Sequence, residues 1–162
     1  MNDNVNKRML TAQWVFERNL AWIAAAEVKV GVVIALDVAM LGGLAVAYRS
    51  ATMRTTWAYF CVTVAVTVLL IALGCAAAVV LPRLAGPRNS LLYFGRIAGT
   101  SCADYVEAFS KATDQALLAD WAEQIHRNAQ IANMKHGWVR RAVLWSFLAA
   151  VPWAASIGLL VK

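Results

Sequence analysis

One carboxylate, Asp37, sits inside an apolar run, among Val32, Val33, Ile34, Leu36, Val38, Met40 and Leu41. At membrane depth such a group needs a proton, a partner or a water-lined face. The chemistry open to it is proton sensing, lining of an ion path, or a hydrogen bond buried between helices. Thr63 and Thr67 of the next apolar run are hydroxyls within reach of such a helix. The other carboxylates that draw notice, Glu107, Asp114, Asp120 and Glu123, fall singly on helical faces, where charge is ordinarily solvated. His126 and His136 stand ten apart without a spaced co-ligand, and read as surface or packing histidines. Cys61, Cys75 and Cys102 are an odd number with no metal-ligand spacing, and read as small apolar groups. No glycine-rich phosphate loop and no nucleophile–base pair is present. The expectation is a protein that is not an enzyme and has no metal and no cofactor.

Polar groups at helical spacing recur between residues 114 and 141. One stripe is apolar: Leu118, Trp121, Ile125, Ala129 and Ala132. The opposite stripe is Asp120, Gln124, Arg127, Asn128, Ile131 and Lys135. A linker with Pro82, Gly86 and Pro87 precedes the segment Ser90–Ala98. Ser101, with Asp104 three residues on, has the form of a capping box. It opens a helix with Tyr105, Val106 and Phe109 that ends near Thr113-Asp114, and a second helix follows and continues into the last apolar run.

These residues are positioned by elements whose solvent is lipid. Hydrophobic residues make up 61% of the 162, and the mean hydropathy of +0.59 is too apolar for an ordinary soluble domain of this size. The run 57–81 carries no charge over 25 residues, above the roughly 20 that a helix needs to cross the hydrocarbon layer. The runs 30–48 and 142–161 are the other two spans. Asp37 leaves the first of them viable, since a central Asp costs only about 2.5–3.5 kcal/mol on insertion scales. The expected fold is an all-α membrane protein with three transmembrane helices. An N-terminal interfacial helix occupies residues 1–29, and a cytoplasmic helical hairpin occupies 82–141, between the second and third spans.

Basic residues divide 12 to 3 between the two sides of such a bundle. The N-terminus and segment 82–141 are therefore assigned to the cytoplasm, and the C-terminus to the outer side. The net charge of +6 is absorbed by this topology and by anionic lipid, so no nucleic-acid polymer is expected as a partner. Residues 1–29 do not read as a cleaved signal, because Glu17 and Arg18 interrupt the apolar stretch. Trp14, Phe16, Leu20, Trp22 and Ile23 suit a headgroup-level helix. Gly31, Ala35, Ala39, Gly43 and Ala47 recur every fourth residue, a helix-packing face toward the second span or another copy. Three spans make a thin bundle, and a homo-oligomer is expected.

Several short motifs together carry a resemblance. They are Glu27-x-Lys29 after Asn19, Tyr93-Phe94-Gly95-x-Ile97, Tyr105, Asp120-x-x-x-Gln124-Ile125, and Ile131-Ala132-x-x-Lys135 before the last span. In order and placement they resemble the Pycsar effector transmembrane family over roughly residues 15–160, with Glu27 where the family more often has Asp. The resemblance implies an antiphage effector. Its activating ligand would be cyclic UMP or cyclic CMP from a partner pyrimidine cyclase, and its action would impair the inner membrane and abort infection. Under that reading Arg96, Arg127 or Lys135 would meet the cyclic phosphate. Tyr93 or Tyr105 would stack the base, and Asp120, Gln124 or Asn128 would read the base edge or the 2′-hydroxyl.

Two other classes fit the residues. One is a membrane adaptor whose cytoplasmic hairpin docks a protein partner, with Leu117, Leu118 and Trp121 partly exposed. The other is a constitutive small channel or transporter subunit, which would be toxic or conductive on expression alone.

Overall fold

The computed structural model describes residues 2–53, 55–82, 86–87 and 89–161, with no account of the side chains of residues 2 and 3. Arg54, Arg83, Arg88 and Lys162, which entered the charge count, lie outside the described residues. Among the described residues the order is α1 (Asn2–Ser50), α2 (Thr56–Val80), α3 (Phe94–Ala98), α4 (Cys102–Lys111) and α5 (Asp114–Leu160), with no strand. Three of these helices, α1, α2 and α5, are long and apolar enough to cross a membrane. The 49 residues of α1 and the 47 of α5 each make a helix about 70 Å long at 1.5 Å per residue. That is more than twice the ~30 Å of hydrocarbon, so each has length to spare outside lipid. The N-terminal segment and the first span share one helix: α1 runs unbroken from Asn2 to Ser50.

The chain divides into two compact units. Unit 2 holds residues 25–81 and 135–162. Its core runs in three layers. Ala26 and Val30 meet Cys75, Ala76, Val79, Val139 and Ala142; Met40 meets Leu69 and Ala149; Leu44 meets Ala58, Ala65 and Leu160. Residue numbers rise together in α1 and α5 and fall in α2, so α1 and α5 run parallel with α2 antiparallel to both. Six of these fourteen contact residues are Ala, which lets backbones approach where van der Waals contact carries association. Trp153 Nε1 donates to Met40 O at 2.8 Å, anchoring α5 on α1 one residue after Pro152. At the end where the chain enters α2, Thr55 caps the helix by accepting from Ala58 N.

The ladder of small residues on α1 lies elsewhere. Gly31, Ala35, Ala39 and Gly43 are exposed, and only Ala47 is partly buried. A Cβ on Gly31 would meet nothing within 4 Å. The face that packs is Ala12, Phe16, Asn19, Ile23, Ala26, Val30, Val33, Asp37, Met40, Leu44 and Ala47, each buried or half-buried. Its spacing alternates four and three along the whole helix, the seam of a coiled coil, whereas a strict fourth-residue ladder drifts around the helix. In α5 the same rhythm runs through Trp121, Gln124, Asn128, Ile131 and Lys135, and again through Val139, Ala142, Ser146, Ala149, Trp153, Ser156 and Leu160, the two stretches joined by a second step of four at Lys135–Val139.

Candidate functional site

Unit 1 comprises residues 1–24 and 82–134. Here the first part of α1 lies on the first part of α5. Phe16 meets Trp121 edge to face at 5.0 Å between ring centroids. Asn19, nearly inaccessible, donates from Nδ2 to Ile125 O at 3.0 Å. The expected hairpin partner α4 has no buried residue. It does have the expected cap: Ser101 Oγ accepts from Asp104 N and donates to the Asp104 carboxylate at 2.7 Å.

The segment before α3 is held onto α5 by a dense set of bonds. Asp120 Oδ2 accepts from Leu91 N at 2.7 Å and from Leu92 N at 3.2 Å. Ser90 Oγ accepts from Leu92 N, Tyr93 N and Gln124 Nε2 at 2.8–3.0 Å. Tyr105 OH donates to Leu91 O at 3.0 Å. Ser90 and Gln124 are buried. A loop has no ladder to satisfy its amides, so side chains must do so where water is excluded. Asp120, Gln124 and Tyr105 therefore act here as clasps of the Ser90–Tyr93 segment.

The clasped segment presents two aromatic rings. The Tyr93 ring is boxed by glycines: a Cβ on Gly86 would stand 2.6 Å from it, and one on Gly95 2.7 Å. This close approach is the physical reason for glycine in Tyr93-Phe94-Gly95. Phe94 packs edge-on against Tyr93 at 4.9 Å and is 64% exposed.

Cavities among the described residues open on unit 1. One of about 340 Å³ is bounded by Phe16, Tyr93, Phe94, Gln124, Arg127 and Asn128, with no carboxylate on its lining. The guanidinium of Arg127 donates to Gln130 Oε1 at 3.2 Å. A larger one, about 520 Å³, has Arg8 but also Asp114 and no aromatic ring. A small one, about 210 Å³, holds Arg96, Thr100 and Tyr105.

The seven residues considered for ligand contact thus separate. Tyr93, Gln124 and Arg127 share the middle cavity; Arg96 and Tyr105 share the small one. Asp120 holds backbone. Lys135 belongs to unit 2, where its nearly buried ammonium pairs with the half-exposed Glu27. That pair accounts for the acidic residue ahead of the first span. Phe16 and Phe94 were not singled out for this role by spacing, although an aromatic pair beside a glycine motif is a usable signal.

The hydroxyl partner of Asp37 is Ser146 of α5, at 3.0 Å. Thr63 and Thr67 of α2 instead bond back to Tyr59 O and Thr63 O of their own helix. A hydroxyl four residues on reaches its own helical carbonyl first, and this keeps both groups satisfied where they are exposed. The apolar stripe of α5 also differs from the one read by spacing: Ala129 is exposed, whereas Gln124 and Lys135 are buried.

Residues 11–162 match the Pycsar effector protein domain. The chain is similar to the Pycsar effector protein PtPycTM of Propioniciclava tarda, 29% identical over 140 residues, covering 80% of this chain and 69% of that protein. No solved structure matches it.

Proposed function

Because the chain belongs to the Pycsar effector protein domain family, we propose that it is an antiviral effector that answers cyclic UMP or cyclic CMP, made by a partner pyrimidine cyclase, by impairing the inner membrane and aborting infection. The observation that carries this reading is the composition of the two units. The first halves of α1 and α5 belong to a unit with polar cavities, and their second halves belong to a unit of apolar spans. A ligand that favours one packing of the first halves has two covalent routes to the spans, and it shifts the equilibrium only by its preference for that packing.

In this reading the protein is not an enzyme and needs no cofactor: its ligand is a signal. The N-terminus and residues 82–141 face the cytoplasm, and the C-terminus faces the periplasm. Arg141, whose guanidinium lies 4.6 Å over the Trp138 ring, marks the cytoplasmic entry of the third span. Lipid and further copies of the chain are its partners in the membrane. The exposed face of Gly31, Ala35 and Ala39 is the part of α1 left for such copies.

The test is membrane potential in cells that carry the protein without its cyclase. Raising cyclic UMP or cyclic CMP inside should collapse the potential with one of them, and cyclic AMP should leave it intact. An unchanged potential with both pyrimidine nucleotides, with the protein folded in the inner membrane, would refute the reading and favour an adaptor.

A further inference from the structure

We infer that the 340 Å³ cavity is the nucleotide site, that one chain suffices to form it, and that Phe94 stacks the pyrimidine while Arg127 meets the cyclic phosphate. This rests on the effector reading above and adds to it a location and two residue roles. The cavity is at the lower end of the roughly 300–1,000 Å³ typical of small-molecule sites, a size for a mononucleotide.

A cyclic pyrimidine nucleotide asks for three things: a flat apolar face, one cation for its single negative charge, and polar groups for ribose and base edges. The 340 Å³ cavity has all of them. Phe94 supplies the face: it lines the cavity and is 64% exposed. Arg127 supplies the cation on a planar fork suited to phosphate oxygens. Gln124 and Asn128 supply amides. The larger cavity sets Asp114 beside Arg8, so a phosphate there meets a like charge, and it offers no ring. The small cavity also brings a cation and a ring together, Arg96 and Tyr105, but its volume falls below the usual range for small-molecule sites.

The clasp explains how the site is kept. Asp120, and Ser90 with Gln124, fix the amides of residues 91–93, and the glycines at 86 and 95 fix the Tyr93 ring, against which Phe94 rests. The stacking ring is thus positioned before any ligand arrives, which lowers the ordering cost of binding.

The experiment is equilibrium dialysis of radiolabelled cyclic UMP and cyclic CMP against the full-length protein in detergent micelles. The variants are Phe94→Leu, Arg127→Gln, Arg8→Gln and Arg96→Gln, each checked for the elution volume of the wild type. Phe94→Leu and Arg127→Gln should each weaken binding about tenfold or more. Arg8→Gln and Arg96→Gln, in the other two cavities, should bind as wild type. If Phe94→Leu and Arg127→Gln bind as wild type, or if Arg8→Gln or Arg96→Gln is the variant that loses ligand, the site assignment is wrong and the effector reading survives. If the wild type binds neither nucleotide, both fall together.

Discussion

Ser146 Oγ stands 3.0 Å from Asp37 Oδ2 and equally 3.0 Å from Ala142 O, so one hydroxyl proton serves two acceptors. Asp37 is fully buried, and its other oxygen, Oδ1, has no hydrogen-bond partner. Ser146 is the side chain that makes this carboxyl tolerable between α1 and α5. Ser146→Ala should destabilise the protein by about 1–3 kcal/mol, the cost of a buried polar group left without a partner. Replacing both partners, Asp37→Val with Ser146→Ala, should recover most of that loss. Thermal unfolding in detergent would decide it: a single Ser146→Ala variant as stable as the wild type would sink the account.

Asp120 is predicted to act on the backbone. Asp120→Ala leaves two loop amides, Leu91 N and Leu92 N, without their acceptor. Hydrogen exchange at those two amides should accelerate sharply, with a local cost of about 1–3 kcal/mol. Asp120→Asn keeps one carbonyl oxygen and should retain part of the protection. Unaltered exchange in the alanine variant would contradict the clasp.

The glycines separate by what surrounds them. Gly95→Ala puts a Cβ 2.7 Å from the Tyr93 ring, which must move. Nucleotide binding should weaken, and the near-ultraviolet circular dichroism of the aromatic rings should change. Gly31→Ala adds a methyl group in open space and should leave both readouts alone. Equal effects from the two substitutions would argue against a boxed tyrosine.

Glu27 neutralises a lysine that has nowhere else to go. Glu27→Gln should destabilise the protein, by less than the roughly 3–5 kcal/mol of a fully buried broken pair because Glu27 is half-exposed. Adding Lys135→Met should restore stability by removing the stranded charge. A double variant less stable than Glu27→Gln alone would show that Lys135 has a further role.

The spans were legible because lipid imposes a length and an absence of charge that residues 57–81 and 142–161 meet plainly. The helix at 102–111 was legible through Ser101 and Asp104, whose capping chemistry is local. The partner of Asp37 was not, because Ser146 is 109 residues away and nothing local favours it over Thr63. The face that α1 packs within the chain was not legible for a different reason. Small residues at every fourth position stand out by type, while the actual seam mixes Asn19, Val30, Asp37 and Met40 and is visible only as a four–three rhythm. For the same reason the site residues were gathered as one group by chemistry. Distance then sorted Lys135 into the span unit and Asp120 into the loop.

The four–three rhythm makes α1 count in sevens, and α5 too on either side of the extra step at Lys135–Val139. Removing one residue near Ala24 would turn everything beyond it by about 100°. Asp37 would then swing off the seam toward lipid while Asn19 stayed in place. Removing seven would return every later side chain to its own side of the helix, provided α5 lost the same seven. Natural variants of this architecture should therefore lengthen or shorten by paired heptads in both helices, and a single-residue deletion in either should be more damaging than a seven-residue deletion in both.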